Sequence, residues 1–333
     1  MTTEQTNDMI IDAVITWVNG DDLTWQHKIN TYLDTKIDFS KKAESTRYNA
    51  IGEVQIAIAS IIKFAPFIKN IYVVTDNQVP QDFDVLSTKA QEQGVNLKII
   101  DHTVIFKNYE EALPSFNSIS IEIMLYRIPN LSEHFVVFND DFFLMRATAP
   151  EDFFINGMPV LRGSWEKFNE DRTLRVYYQK LLKLIGKEPD PNRPSFKRLQ
   201  QQSAMLAGTK KYVRRYHTPM SVRKSTLVDY FNAHEDLLKN NISFRFRDKS
   251  QFLLSSLSEH LEIKKGTFHY SKDTRLTYFR SYKKPSSVKK KLAQFIEDPS
   301  KIFITFQSLE RADPALLTHI KNWISSRLDQ DLR

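Results

Sequence analysis

No cysteine occurs in this chain of 333 residues, so disulfides and thiolate metal sites are both excluded. No long apolar run occurs either. The longest, Val54 to Ile62, is interrupted by Gln55 and Ser60 and stopped by Lys63, far short of the ~20 residues that span a bilayer. The opening Met-Thr-Thr-Glu-Gln-Thr-Asn-Asp has no basic segment leading into an apolar one, which predicts no secretion signal. Internal repeats and long low-complexity tracts are missing too. Together these absences predict a cytoplasmic protein, soluble or held peripherally at the inner face of a membrane.

Hydrophobic residues make up 41% of the chain and charged residues 26%, the balance of an ordinary globular protein with one large core or two coupled ones. The net charge of +7 hides an asymmetry. Residues 1–150 hold 12 Lys and Arg against 20 Asp and Glu, whereas residues 151–333 hold 35 against 20. The chain is therefore expected to divide into an acidic half over residues 1–165 and a basic, helix-rich half over 166–333, coupled as one compact unit. Such a pairing suits a divalent cation and a phosphate; it also suits a nucleic-acid or membrane-facing surface. The acidic first half and the lack of a recognition motif argue against nucleic acid.

Four apolar, β-branched runs predict buried strands: Ile10–Val18, Ile71–Asp76, Val95–His102 and Phe135–Phe138. Helices are expected at about 23–35, 49–64 (stopped by Pro66), 118–127, 221–238 and 313–328, the last capped by Asp313 with Pro314 in its first turn. A Pro-rich loop is expected at 186–194. Strands alternating with helices imply right-handed βαβ units and an α/β, doubly wound, mainly parallel sheet. All four strands end in polar residues: Asn19, Asp21 and Asp22; Asp76; Asp101 and His102; Asn139, Asp140 and Asp141. Asn19-Gly20 is a turn signal, because both residues tolerate positive φ. In a parallel sheet these ends share one edge, where ligands bind. Trp17, which follows a buried strand, is a candidate for the wall of a nucleotide pocket.

Ile11–Asp22 resembles the first conserved block of the Stealth family of sugar-phosphate transferases. Arg47-Tyr48, the run 61–80, Leu113–Ser118 and Phe138–Asp141 resemble its second block. His217-Thr218-Pro219 with Ser243–Arg247 resembles its third. The resemblance implies a GT-A-like nucleotide-sugar transferase fold. It also implies transfer of a hexose or N-acetylhexosamine 1-phosphate from a UDP-sugar to a hydroxyl of a glycan or lipid-linked oligosaccharide, with release of UMP, in capsular or surface polysaccharide synthesis. A metal-dependent glycosyltransferase releasing UDP is the alternative. The fourth block departs from the family pattern, since Phe303–Phe306 runs into Gln307-Ser308 where Asn-Asp is usual.

The residues suit that chemistry. In-line attack on phosphorus needs positioning and charge neutralisation more than covalent help. Asp140 and Asp141 are expected to hold Mg²⁺ or Mn²⁺, with Gln307 offering an amide oxygen; Asp141 can alternatively face the acceptor. Arg245 is expected to clamp phosphate, with Arg247 as alternate; both are read as lying on one face of a strand. His217 is the candidate general base. The substrate and nucleotide contacts are expected from Trp17, Asn19, Gly20, Asp22, Arg47, Asp76, Asn117, Ser118 and Arg247. Lys283–Lys291, after an aromatic-basic run, is a candidate contact for anionic lipid or a phosphate-bearing polymer.

Overall fold

Strands can be apolar on both sides only in a sheet covered on both faces, and that is how the four predicted strands are used. In the computed structural model, which describes residues 9–41, 52–171 and 195–329, these are β1 (Ile11–Thr16), β2 (Ile68–Thr75), β3 (Asn96–Asp101) and β4 (His134–Asn139). They lie parallel in the order β3-β2-β1-β4. Ile11, Ala13, Ile15, Val73 and Phe138 enter one apolar cluster, while Val14, Tyr72, Val74, Phe135 and Val137 enter another. The alternation of neighbours along each strand sends the two sets to opposite faces.

Helices α1 (Leu23–Thr31), α2 (Glu53–Phe64), α3 (Phe83–Glu92), α4 (His102–Ile105) and α5 (Ser118–Ile123) fill the crossovers. The expected α/β, mainly parallel architecture is what the structure has. The predicted helix at 118–127 stops at Ile123 and tightens into a 3₁₀ turn at Leu125–Arg127. The start of the predicted helix at 49–64 and the loop at 186–194 lie outside the described residues.

Beyond β4 the chain forms β5 (Phe142–Leu144), β6 (Phe154–Ile155), β7 (Met158–Glu166), β8 (Tyr212–Arg215), β9 (Met220–Arg223), β10 (His269–Ser271), β11 (Leu276–Phe279) and β12 (Phe303–Phe306). The helices of this part are α6 (Phe196–Leu206), α7 (Lys224–Ala233), α8 (Glu235–Ile242), α9 (Leu254–Lys265), α10 (Pro285–Glu297) and α11 (Pro314–Leu328). Helix α11 begins as its sequence predicts, with the Asp313 carboxylate accepting from the Leu316 amide at 2.9 Å. Among the described residues no helix is long and apolar enough to cross a membrane.

Two expectations are corrected. Residues 221–238 do not form one helix. Met220–Arg223 is an edge strand, antiparallel to β4, whose alternation places Met220 and Val222 in the core; the helix starts only at Lys224 and breaks at His234. Residues 243–253 form no strand. Their backbone is held instead by partners from elsewhere: the Phe116 amide donates to the Arg245 carbonyl, and Asn117 Nδ2 donates to the Phe244 carbonyl. Strand β12 pairs antiparallel with β5 so that Thr305 lies opposite Phe142. Two residues along, this register brings Gln307 toward the Asp140–Asp141 turn.

Candidate active site

The carboxyl ends of β1 and β4 open into a cavity of about 500 Å³. Its lining includes Trp17, Asn139, Asp140, Asp141 and Gln307, together with Ser118, Glu122, Arg215, His217 and Arg247. Asp140 and Asp141 are half-buried. Burial pushes both carboxyls well above the usual carboxylate range, and for Asp141 the charges of Asp140, Glu53 and Glu310 push further. Two adjacent carboxylates removed from water resist carrying both charges unless a cation joins them.

His217 sits in a cage of rings. It stacks on Tyr278 at 4.7 Å and on Phe196 at 6.1 Å, and meets Phe142 edge-on at 6.2 Å. Its carbonyl accepts from Thr305 Oγ1 at 2.8 Å, which ties the loop to β12. Burial, aided by the nearby Arg215 charge, lowers the His217 pKa below the ordinary 6.5, so the ring is neutral at pH 7 and able to accept a proton. Gln307 accepts from the Tyr278 hydroxyl through its side-chain oxygen, while its amide donates to the Phe279 carbonyl at 2.9 Å.

The two candidate arginines part company. Arg247 lines the cavity and donates to Ser118 Oγ at 2.7 Å. Arg245 is turned to the protein: Nε donates to the Pro114 carbonyl at 2.9 Å, and the guanidinium lies 4.3 Å from the centre of the Tyr32 ring. Other predicted residues likewise serve the scaffold of the cleft rather than its lining. Asp22 caps α1, accepting from the Trp25 amide at 3.1 Å. Asp76 is engaged by Lys28 at 2.7 Å. Asn117, fully buried, caps α5 and donates to Gln251 Oε1 at 2.9 Å. Asn19 and Gly20 make the turn after β1 without either adopting positive φ; Gln78 holds it by accepting from the Asn19 amide and donating to the Asn19 carbonyl. Arg47 lies outside the described residues.

Several wall residues had no sequence signal. Glu122 sits in the last turn of α5, within Ser-Ile-Ser-Ile-Glu-Ile. Its burial, offset by the charges of Arg247 and Arg215, raises it to about 7. Arg215 is buried against Glu259 and also donates to the Thr218 carbonyl at 2.8 Å. His102, whose burial lowers it to about 4, lines the cavity with Ser115. Trp17 Nε1, His102 Nδ1 and Ser115 Oγ are buried with no hydrogen-bond partner among the described residues. Three unsatisfied polar atoms beside one cavity leave hydrogen-bonding capacity there for water or a polar ligand.

A parallel α/β sheet with a charged cleft at its carboxyl edge defines the class: a protein built to hold a small polar ligand where its strands end. The chain belongs to the Stealth family. Residues 9–37 match Stealth protein CR1, conserved region 1, and residues 47–160 match Stealth protein CR2, conserved region 2. The chain is 31% identical over 257 residues to the exopolysaccharide phosphotransferase cps2G of Lactiplantibacillus plantarum, covering 72% of each. It is 32% identical over 255 residues to the receptor polysaccharide phosphotransferase WefC of Streptococcus gordonii, covering 72% of this chain and 74% of that one. Among solved structures it is similar to the glycosyltransferase GlyE of Streptococcus pneumoniae TIGR4, with a TM-score of 0.46 and 9% identity over 96% of this chain and 62% of that one.

Proposed function

We propose that the protein transfers a sugar 1-phosphate from a UDP-sugar to a hydroxyl of a glycan acceptor and releases UMP, in the synthesis of a capsular or other surface polysaccharide. The observation that carries this reading is that two half-buried carboxylates, Asp140 and Asp141, line one cavity together with His217 and Arg247. The phosphotransferase relatives support the same reaction. The three unpartnered polar atoms near Trp17 support a nucleobase there.

Asp140 and Asp141 fit a hard divalent cation such as Mg²⁺ or Mn²⁺. Among the described residues no group of three His, Asp or Glu converges as a complete shell, but Mg²⁺ is commonly held by one or two carboxylates plus water and substrate phosphates. Such a cation, when bound, would neutralise charge on the diphosphate. The chain's own residues do the rest. Arg247 clamps oxygens of the phosphoryl group being transferred, with Ser118 fixing its orientation. His217, neutral and held by its ring cage, takes the acceptor proton. The acceptor oxygen bonds to the β-phosphorus, the bond from that phosphorus to the bridging oxygen breaks, and the bridging oxygen leaves with UMP. The C1–O bond of the sugar stays intact, so its anomeric configuration is retained.

The test is the nucleotide product. Incubating the enzyme with a panel of UDP-sugars and a glycan acceptor should yield UMP by mass spectrometry. Release of UDP would establish plain glycosyl transfer in its place. The exposed lysines Lys283, Lys284, Lys289 and Lys290 around the start of α10 support peripheral contact with anionic lipid, where lipid-linked acceptors reside.

A further inference from the structure

A second cavity, of about 630 Å³, meets the first at Phe196, Arg215, Tyr216 and His217. Its chemistry differs. Lys197, Arg214, Arg215, Arg280 and Lys291 line it, and among the described residues no carboxylate does. Glu166 lies behind this wall and serves both Lys197, at 2.8 Å, and Arg214, at 3.2 Å. Arg215 is paired with Glu259. Arg280 and Lys291 are exposed and have no carboxylate partner among the described residues; Lys291 donates only to the Tyr278 carbonyl, at 2.9 Å. Among the described residues, five cations against two carboxylates leave an excess of positive charge in a concave site. The N-terminal turn of α10 reaches the same cavity through Ser287 and Val288 and adds a partial positive charge.

Aromatic rings supply the other half of the site. Phe196 and Tyr216 are 50% and 38% exposed, unusual for rings of this size, and both stand where the cavities meet. Flat rings beside cations suit the apolar face of a sugar attached to an anion. The His217 ring stands between the cavities, so a hydroxyl arriving from the second one meets the proposed base at the first.

We propose that this second cavity is the acceptor subsite and that it binds a glycan already bearing a phosphate, through Arg280 and Lys291. The inference rests on the phosphoryl-transfer reading of the first cavity. A phosphate on the acceptor can come from the diester left by an earlier turnover or from the diphosphate of a lipid carrier. In the first case the enzyme recognises its own product and extends it.

The experiment is a chemical-shift titration of the full chain with the donor site filled by UMP and Mg²⁺. The probes are the methyl phosphodiester of glucose 1-phosphate, methyl glucoside, and glucose linked to geranyl diphosphate. The wild-type protein should bind a phosphate-bearing probe at least about tenfold more tightly than methyl glucoside. The variant R280Q/K291Q, altered only at exposed positions, should abolish that difference and leave the Kd for UMP unchanged. Diester binding equal to or tighter than that of the lipid-like diphosphate assigns the site to the product polymer; a preference for the diphosphate assigns it to the carrier. Equal binding of charged and neutral probes, no binding of any, an unaltered preference in the variant, or a loss confined to UMP overturns the proposal. Failure of wild-type protein to bind UMP, or release of UDP in the turnover assay, strikes the phosphoryl-transfer reading instead.

Discussion

At Asp141 two demands conflict. Burial and neighbouring carboxylates raise its pKa, so its charged form costs stability in the folded protein. A group whose folded pKa is raised adds stability below its unfolded value and loses it as pH rises through the folded value. Without divalent cation, the wild-type protein should therefore lose stability as pH rises above the usual carboxylate range, and Asp141→Asn should remove much of that loss. We expect the variant to be more stable by about 1 kcal/mol at pH 8 in chelator and to lose nearly all turnover. Thermal denaturation at several pH values checks this; a variant less stable than wild type at pH 8 would count against the charge conflict. Arg247 and Arg245 should separate in the same way. Arg247→Ala should raise the KM for the donor by one to two orders of magnitude with little change in Tm. Arg245→Ala, which frees the Pro114 carbonyl and uncovers Tyr32, should cost about 1–2 kcal/mol of stability. A pH profile reads the base. Because His217 is lowered from 6.5, kcat/KM at saturating cation should rise to a plateau with a midpoint below that value. His217→Gln should lose the limb and about 10²–10⁴ in rate. If Glu122→Gln removes the limb instead, the proton goes to Glu122.

Elements decide which of these side chains meet. Strand β8 carries Arg215 to the wall between the cavities and Arg214 to the second cavity, and it lies so close to β7 that only glycine fits at Gly163. A Cβ there would stand 2.4 Å from the Arg214 carbonyl oxygen. Gly163→Ala should push the strands apart, cost about 2 kcal/mol or more, and weaken acceptor more than donor binding; steady-state kinetics with each substrate varied in turn reads that difference. The same scale explains what the sequence made legible. Four β-branched runs announced the central strands, and Asp313-Pro314 announced α11, because those signals are local. Met220–Arg223 was hidden: it is four residues long, and its partner β4 lies some 80 positions earlier. The stretch around Arg245 and Arg247 was misread as a strand because alternating arginines look like a strand face. The carbonyls of Arg245 and Phe244 in fact answer to Phe116 and Asn117, which no local pattern reveals.

Over the whole molecule, an acidic sheet edge from the first half faces basic residues from the second, and the halves are interwoven: β9 extends the sheet of β1–β4, and α11 packs into the core cluster of α2. The charge asymmetry pointed to this opposition, and Asp140, Asp141 and His217 could be named from their motifs. Glu122 and Arg215 could not, since a lone charge in a helix or strand acquires meaning only from what folds against it. The central claim is that phosphorus moves with the sugar, and isotope placement tests it most directly. A UDP-sugar carrying ³²P in its β-phosphate should deliver the label to the acceptor glycan and leave unlabelled UMP. Label retained in UDP, with none in the glycan, would contradict it.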